Sequence, residues 1–135
     1  MRYSLAIAAV LAAGALGVSA VSAETLGARE YARSCAICHG ERGEGTGPLA
    51  MILTVNVPDL TTLAARNGGV FPYGQVISVV DGQRQMRAHG SPMPVWGRRF
   101  MEAEIGRYGP TAGTIIARGR VLSVAHYLET LQREE

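Results

Sequence analysis

Both cysteines of the chain fall in Cys35-Ala36-Ile37-Cys38-His39. Two thiols three positions apart, followed at once by an imidazole, suit four kinds of chemistry. They can close a disulfide, work as a dithiol redox pair, or contribute to a zinc site. They can also add to the two vinyl groups on one edge of a haem, with the next histidine offering a ring nitrogen to the iron. A redox pair wants a strand before it and a helix after it. Here a helical pattern precedes and a glycine loop follows. A structural zinc wants four ligands, and Cys35, Cys38 and His39 supply three. A plain disulfide remains chemically open in an oxidising compartment. The spacing favours covalent haem attachment.

An iron held by His39 leaves a sixth position. Met51, Met86, Met93, Met101, His89 and His126 are the candidates. Met93 stands in Gly90-Ser91-Pro92-Met93-Pro94-Val95-Trp96-Gly97. Pro92 and Pro94 fix φ on either side and push Ser91 and Met93 toward extended backbone. Such a stiff loop holds a thioether with little entropy left to lose, so Met93 is the expected ligand, with Met86 next. His89 shares this loop and is the stronger donor; its bland reading is a solvated histidine. Met101 reads as packing in a helical patch from Phe100 to Ile105. His126 reads as surface.

Four helical stretches must position these groups. The first covers about Thr25 to Cys35, with Gly27, Tyr31, Ser34 and Cys35 on one face. Gly40 to Pro48 holds four Gly and a Pro, so it is loop. A short helix is expected around Pro58 to Arg66, ended by Asn67-Gly68-Gly69. Tyr73, Val76, Ile77 and Val80 repeat with helical period, and Gly82 stops that helix after Asp81. Gln83 to Gly97 reads as irregular. Pro110 or Thr111 opens a last helical region, from about Thr114 to Gln132, on the stripe Val121, Val124, Ala125, Leu128 and Leu131.

The amino terminus reads as an address. Arg2 precedes an apolar run from Leu5 to Val18, and Ser19-Ala20-Val21-Ser22-Ala23 precedes Glu24. This is the pattern of a secretory signal, with cleavage expected after Ala23 and an alternative after Ala20. The run is short for a span, which takes about 20 residues. The expected organisation is a signal over 1–23 and one domain over 24–135, exported to an oxidising compartment. All 13 basic residues are Arg, and the net charge of +2 is too small for a nucleic-acid footprint. At 47% hydrophobic the chain is not a disordered one. Two Phe, one Trp and five Tyr are few for filling a core, so a cofactor is expected to supply bulk.

Taken in order, the attachment motif, the glycine loop to Pro48, the Met93 loop and the amphipathic last helix resemble the monohaem class I c-type cytochromes. Met-Pro followed by Trp-Gly is similar to that family's distal loop. The resemblance implies an all-α, cytochrome c-like fold of about four short helices around one covalent haem c, bound by Cys35, Cys38, His39 and Met93. It implies a crossing of the first and last helices at Gly27 and Tyr31 against Tyr127 and Leu128. It also makes the Pro48 carbonyl the candidate to receive the second N–H of His39, with a plain turn proline as the equal alternative. Trp96 is either a propionate donor or a core aromatic. Arg84, Arg87, Arg98 and Arg99 flank the distal loop, as propionate partners or as solvated charge. The implied function is one-electron transfer in the periplasm, with transient docking of redox donor and acceptor proteins. A fixed cytochrome subunit of a larger dehydrogenase, and a five-coordinate haem enzyme or gas sensor, are the alternatives.

Overall fold

The computed structural model describes residues 23–83 and 93–133. Met86, His89, Arg84 and Arg87 therefore lie outside the described residues, as does the expected signal apart from Ala23. The elements are α1 (Ala23–Ser34), α2 (Ala36–His39), two 3₁₀ turns (Ala50–Ile52 and Ala65–Asn67), α3 (Tyr73–Asp81) and α4 (Trp96–Thr130). No strand occurs among the described residues, so the all-α expectation holds.

The helix count matches, but two of the members differ. Residues 58–66 form turns that lead into the second 3₁₀ turn rather than a helix. The irregular stretch ends sooner than expected, because Trp96 and Gly97 already belong to α4. That helix is long but not continuous. At Gly109 the backbone takes φ 78° and ψ 172°, and Pro110 follows. A proline disfavours helical geometry in the residue before it and suits the first position of the next helical run. Positive φ there costs Gly nothing. The two halves fold back on each other, and Arg120 pairs across them with Glu104 at 2.6 Å.

One core joins the helices, built from Tyr31, Cys35, Phe71, Val76, Val80, Phe100, Ala117, Val121, Val124, Ala125 and Leu128. Of the stripe expected along the last helix, Val121, Val124, Ala125 and Leu128 are buried, while Leu131, just past the helix end, is half-buried. α1 packs chiefly on α4, and α3 on α4. The α1–α4 crossing falls where the sequence placed it. A Cβ on Gly27 would stand 2.0 Å from the Ser123 carbonyl oxygen and 2.8 Å from Cβ of Tyr127. The rings of Tyr31 and Tyr127 lie 5.3 Å apart. α3 stops as expected at Gly82, whose φ is 83°.

Arg120 locks the two halves of α4 to α1. Its second guanidinium nitrogen reaches Glu30 at 2.8 Å, and its charge sits 4.0 Å over the Phe100 ring. Its Nε is buried without a hydrogen-bond partner among the described residues. Nothing in the sequence pattern marked this residue.

Candidate functional site

Cys35 is the single turn residue between α1 and α2, so the motif sits at a bend fixed by the two helices. The amides of Cys38 and His39 both return to the Cys35 carbonyl, at 3.1 and 2.9 Å. One helical turn thus sets Cys35 and Cys38 at i and i+3 and His39 at i+4, the spacing at which side chains are neighbours. Both thiols are free. Burial, then the charges of Glu30 and Cys38, push the Cys35 thiol up to about 12. A dithiol redox catalyst needs the opposite shift.

The glycine loop then folds back over α2. Gly45 donates to the His39 carbonyl at 2.8 Å, Gly47 to Cys38 at 3.0 Å and Leu49 to Ile37 at 2.9 Å. The last carbonyls of a helix need such partners. The approach is close enough that a Cβ on Gly47 would fall 2.5 Å from the Ile37 oxygen. Tyr31 closes the far side, its hydroxyl donating to the Gly40 carbonyl at 2.7 Å. Tyr31 is 1% exposed, and burial raises its pKa well above the ordinary tyrosine value.

His39 is buried, and burial lowers its pKa, against the opposing hydrogen bond to Pro58. Its Nδ1 lies 3.2 Å from the Pro58 carbonyl. A carbonyl only accepts, so the proton of the neutral ring belongs on Nδ1. Nε2 has no hydrogen-bond partner among the described residues.

Of the two readings of Pro48, the turn proline holds, and the resemblance-based partner of His39 is corrected to Pro58. Gly47 and Leu49 spend their amides on α2, which leaves Pro48 in an exposed turn between them. The chain passes the ring only after returning at Pro58. There Thr61 donates its amide and its hydroxyl to the Asp59 carboxylate, at 2.7 and 2.6 Å, and fixes the turn. Those bonds, the hydroxyl's first, hold Asp59 below the usual carboxylate range. Gln132 clamps the same loop, accepting from Ala64 at 2.9 Å and donating to Leu60 at 2.8 Å. Neither Pro58 nor Gln132 carried a local signal, because both act across long sequence separation.

Met93 is half-buried in the short non-helical run that enters α4, and it packs against the core that includes Cys35. Trp96 packs there too, 5.8 Å from Phe100, with the Arg99 guanidinium 5.2 Å over its ring. Met101 is a packing residue, as expected. Met51 is 87% exposed. His126 is on the surface, its Nδ1 2.8 Å from the Tyr73 hydroxyl, which also bonds Glu129. Burial and then the Glu129 carboxylate push Tyr73 up to about 12.

The donor set fits a covalently attached haem. Two free thiols neighbour each other on one turn, and the adjacent neutral imidazole is oriented by one nitrogen while the other is left available. A carbonyl behind the ring fixes its rotation and raises its basicity. Among the described residues, no group of three or more His, Cys, Asp and Glu side chains is gathered as metal-ion ligands would be.

The Tyr31 hydroxyl can be tested alone. Tyr31→Phe removes one buried hydrogen bond, but the Gly40 carbonyl keeps the Gly43 amide at 3.2 Å. The expected loss is therefore only about 1 kcal/mol, with haem still attached. Denaturant midpoints of the two holoproteins measure it.

A family model described as Cytochrome c matches residues 25–108. No curated protein and no solved structure matches the chain.

Proposed function

The chain belongs to the cytochrome c family, whose members carry covalent haem c for electron transfer, and from that premise we propose that it is a periplasmic, monohaem class I cytochrome. Residues 1–23 are its cleaved signal and 24–135 its functional domain. His39 and Met93 would hold the haem iron, and the protein carries single electrons between a donor and an acceptor protein.

Haem c, when bound, supplies a reversible one-electron couple. The rest is the chain's work. Cys35 and Cys38 hold the group by thioethers. His39 offers Nε2 while Pro58 holds Nδ1, so the ring need not reorient when the charge changes. The Met93 thioether, held in a run stiffened by Pro94, would be the second protein donor to the iron and would raise the potential relative to a second nitrogen. With both positions filled, small ligands have no ready entry, which favours electron transfer over oxygen or peroxide chemistry. Partners meet the attachment side transiently, through a small interface. No helix among the described residues is long and apolar enough to cross a membrane.

The observation that carries this reading is His39, buried beside the thiol pair with only Nδ1 engaged. Met93→Ala tests the finer part. The weak sulfur-to-ferric-iron charge-transfer band at the red edge of the visible is expected to vanish, and the reduction potential to fall. A band that persists in Met93→Ala and disappears in Met86→Ala moves the ligand to Met86.

A further inference from the structure

α1 and the two halves of α4 line an open groove of about 700 Å3. Leu26 and Arg33 line it from α1, Arg107 from α4 before the break, and Ile116, Gly119 and Leu122 from α4 after it. None of Cys35, Cys38, His39 or Met93 lines it. On α1 the groove face at Leu26, Glu30 and Arg33 is distinct from the core face at Gly27, Tyr31 and Ser34.

Two features define what would fit. The first is apolar surface left in solvent, with Leu26 at 48%, Ile116 at 37% and Leu122 at 44% exposure. The second is charge. Glu30 and Glu104 are both engaged by Arg120, at 2.8 and 2.6 Å. Arg33 and Arg107 have no carboxylate within salt-bridge distance among the described residues. The groove's own acids are spent and two of its three arginines are not, so its complement is negative. A cleft of this size, with Leu26, Ile116 and Leu122 set among charged side chains and two arginines left without a carboxylate, accepts the anchoring side chains of an amphipathic helix whose polar face is acidic.

We propose that this groove docks an acidic amphipathic helix of the cytochrome's partner protein. The inference rests on the carrier reading and adds to it a holding contact separate from the electron path. None of Cys35, Cys38, His39 and Met93 lines the groove, so a partner seated here need not contact them.

Gly119 provides the test. A Cβ built there meets nothing within 4 Å, and its φ is not positive, so a larger side chain enters the groove without displacing packing. The probe is a synthetic amidated helical peptide with Leu at i, i+3, i+4 and i+7 and Glu at the flanking positions. It is titrated by calorimetry into the full-length holoprotein. Binding is expected, weakened at least about tenfold by Gly119→Phe and about tenfold by the Arg33→Glu, Arg107→Glu pair. A peptide with Lys in place of Glu is expected not to bind. No binding of the acidic peptide, undiminished binding in both variants, or equal binding of the Lys peptide overturns the proposal. Phosphatidylglycerol vesicles that bind in a Gly119-dependent way, where the peptide does not, also overturn it in favour of a lipid surface. The reduced-minus-oxidised haem spectrum of each sample separates the two readings. A normal spectrum without peptide binding defeats the groove alone, whereas a wild-type protein without the spectrum defeats the carrier reading.

Discussion

Replacing both Cys35 and Cys38 by serine is expected to leave a chain that does not fold cooperatively. The reason lies in the core. Its largest fully buried side chains are Tyr31 and Val124, and most of its other members are Val, Ala and Leu. A domain of this size buries a modest fraction of its surface, and net stabilities are small differences between large terms. Cys35 itself belongs to the core, so the attachment point and the packing centre coincide. A group bound only by the folded state stabilises it by mass action, and a covalent tether makes that contribution permanent. The expected result for the double variant is a far-ultraviolet spectrum of low helicity, with no calorimetric transition. The single variants keep one tether and are expected to melt below the wild type. A compact double variant with a sharp thermal transition contradicts this account of stability.

The second large effect belongs to the α1–α4 crossing. Gly27→Leu is expected to destabilise the holoprotein by about 3 kcal/mol, toward the upper end of overpacking changes. The first atom of the new side chain would overlap the Ser123 carbonyl, which stands 2.0 Å away with its carbon at 2.7 Å. These are backbone atoms of a helix and cannot rotate aside. The helices must part, and the Tyr31–Tyr127 pair opens with them. Gly119→Ala is the internal control. It places a Cβ on a helical glycine that faces open space, and it is expected to gain between nothing and about 1 kcal/mol from helix propensity. Denaturant midpoints at constant slope measure both. A Gly27→Leu protein within about 0.5 kcal/mol of wild type removes the crossing from the account.

These two glycines mark the limit of what a sequence reveals. Gly27 was legible because its face, shared with Tyr31, Ser34 and Cys35, resembles the first-helix side of the cytochrome c helix crossing. Gly119 sits amid an equally helical pattern, and only its position in three dimensions shows that it faces a groove. The attachment motif was readable because its chemistry is local, five consecutive residues on one bend. α3 was readable because its apolar period and its stopping glycine agree. The start of α4 was not. Pro92, Pro94 and Gly97 read as loop, yet Gly97 serves a tertiary contact, since a Cβ there would stand 2.7 Å from Cα of Asp81. The carbonyl behind His39 was misplaced for a related reason. Pro48 and Pro58 are the first two prolines after the motif, and the choice between them depends on how Gly47 and Leu49 use their amides and on the turn that Thr61 fixes at Asp59. Arg120 had no periodic or motif signal, because its partners Glu30 and Glu104 come from two other helical segments.

Every functional statement above depends on two thioether bonds. Intact-mass measurement of the exported, fully denatured protein tests them directly. The expected mass is that of polypeptide 24–135 plus one haem, with no thiol left to alkylate. A denatured chain at the mass of its amino acids alone, taking up two alkyl groups at Cys35 and Cys38, contradicts the account.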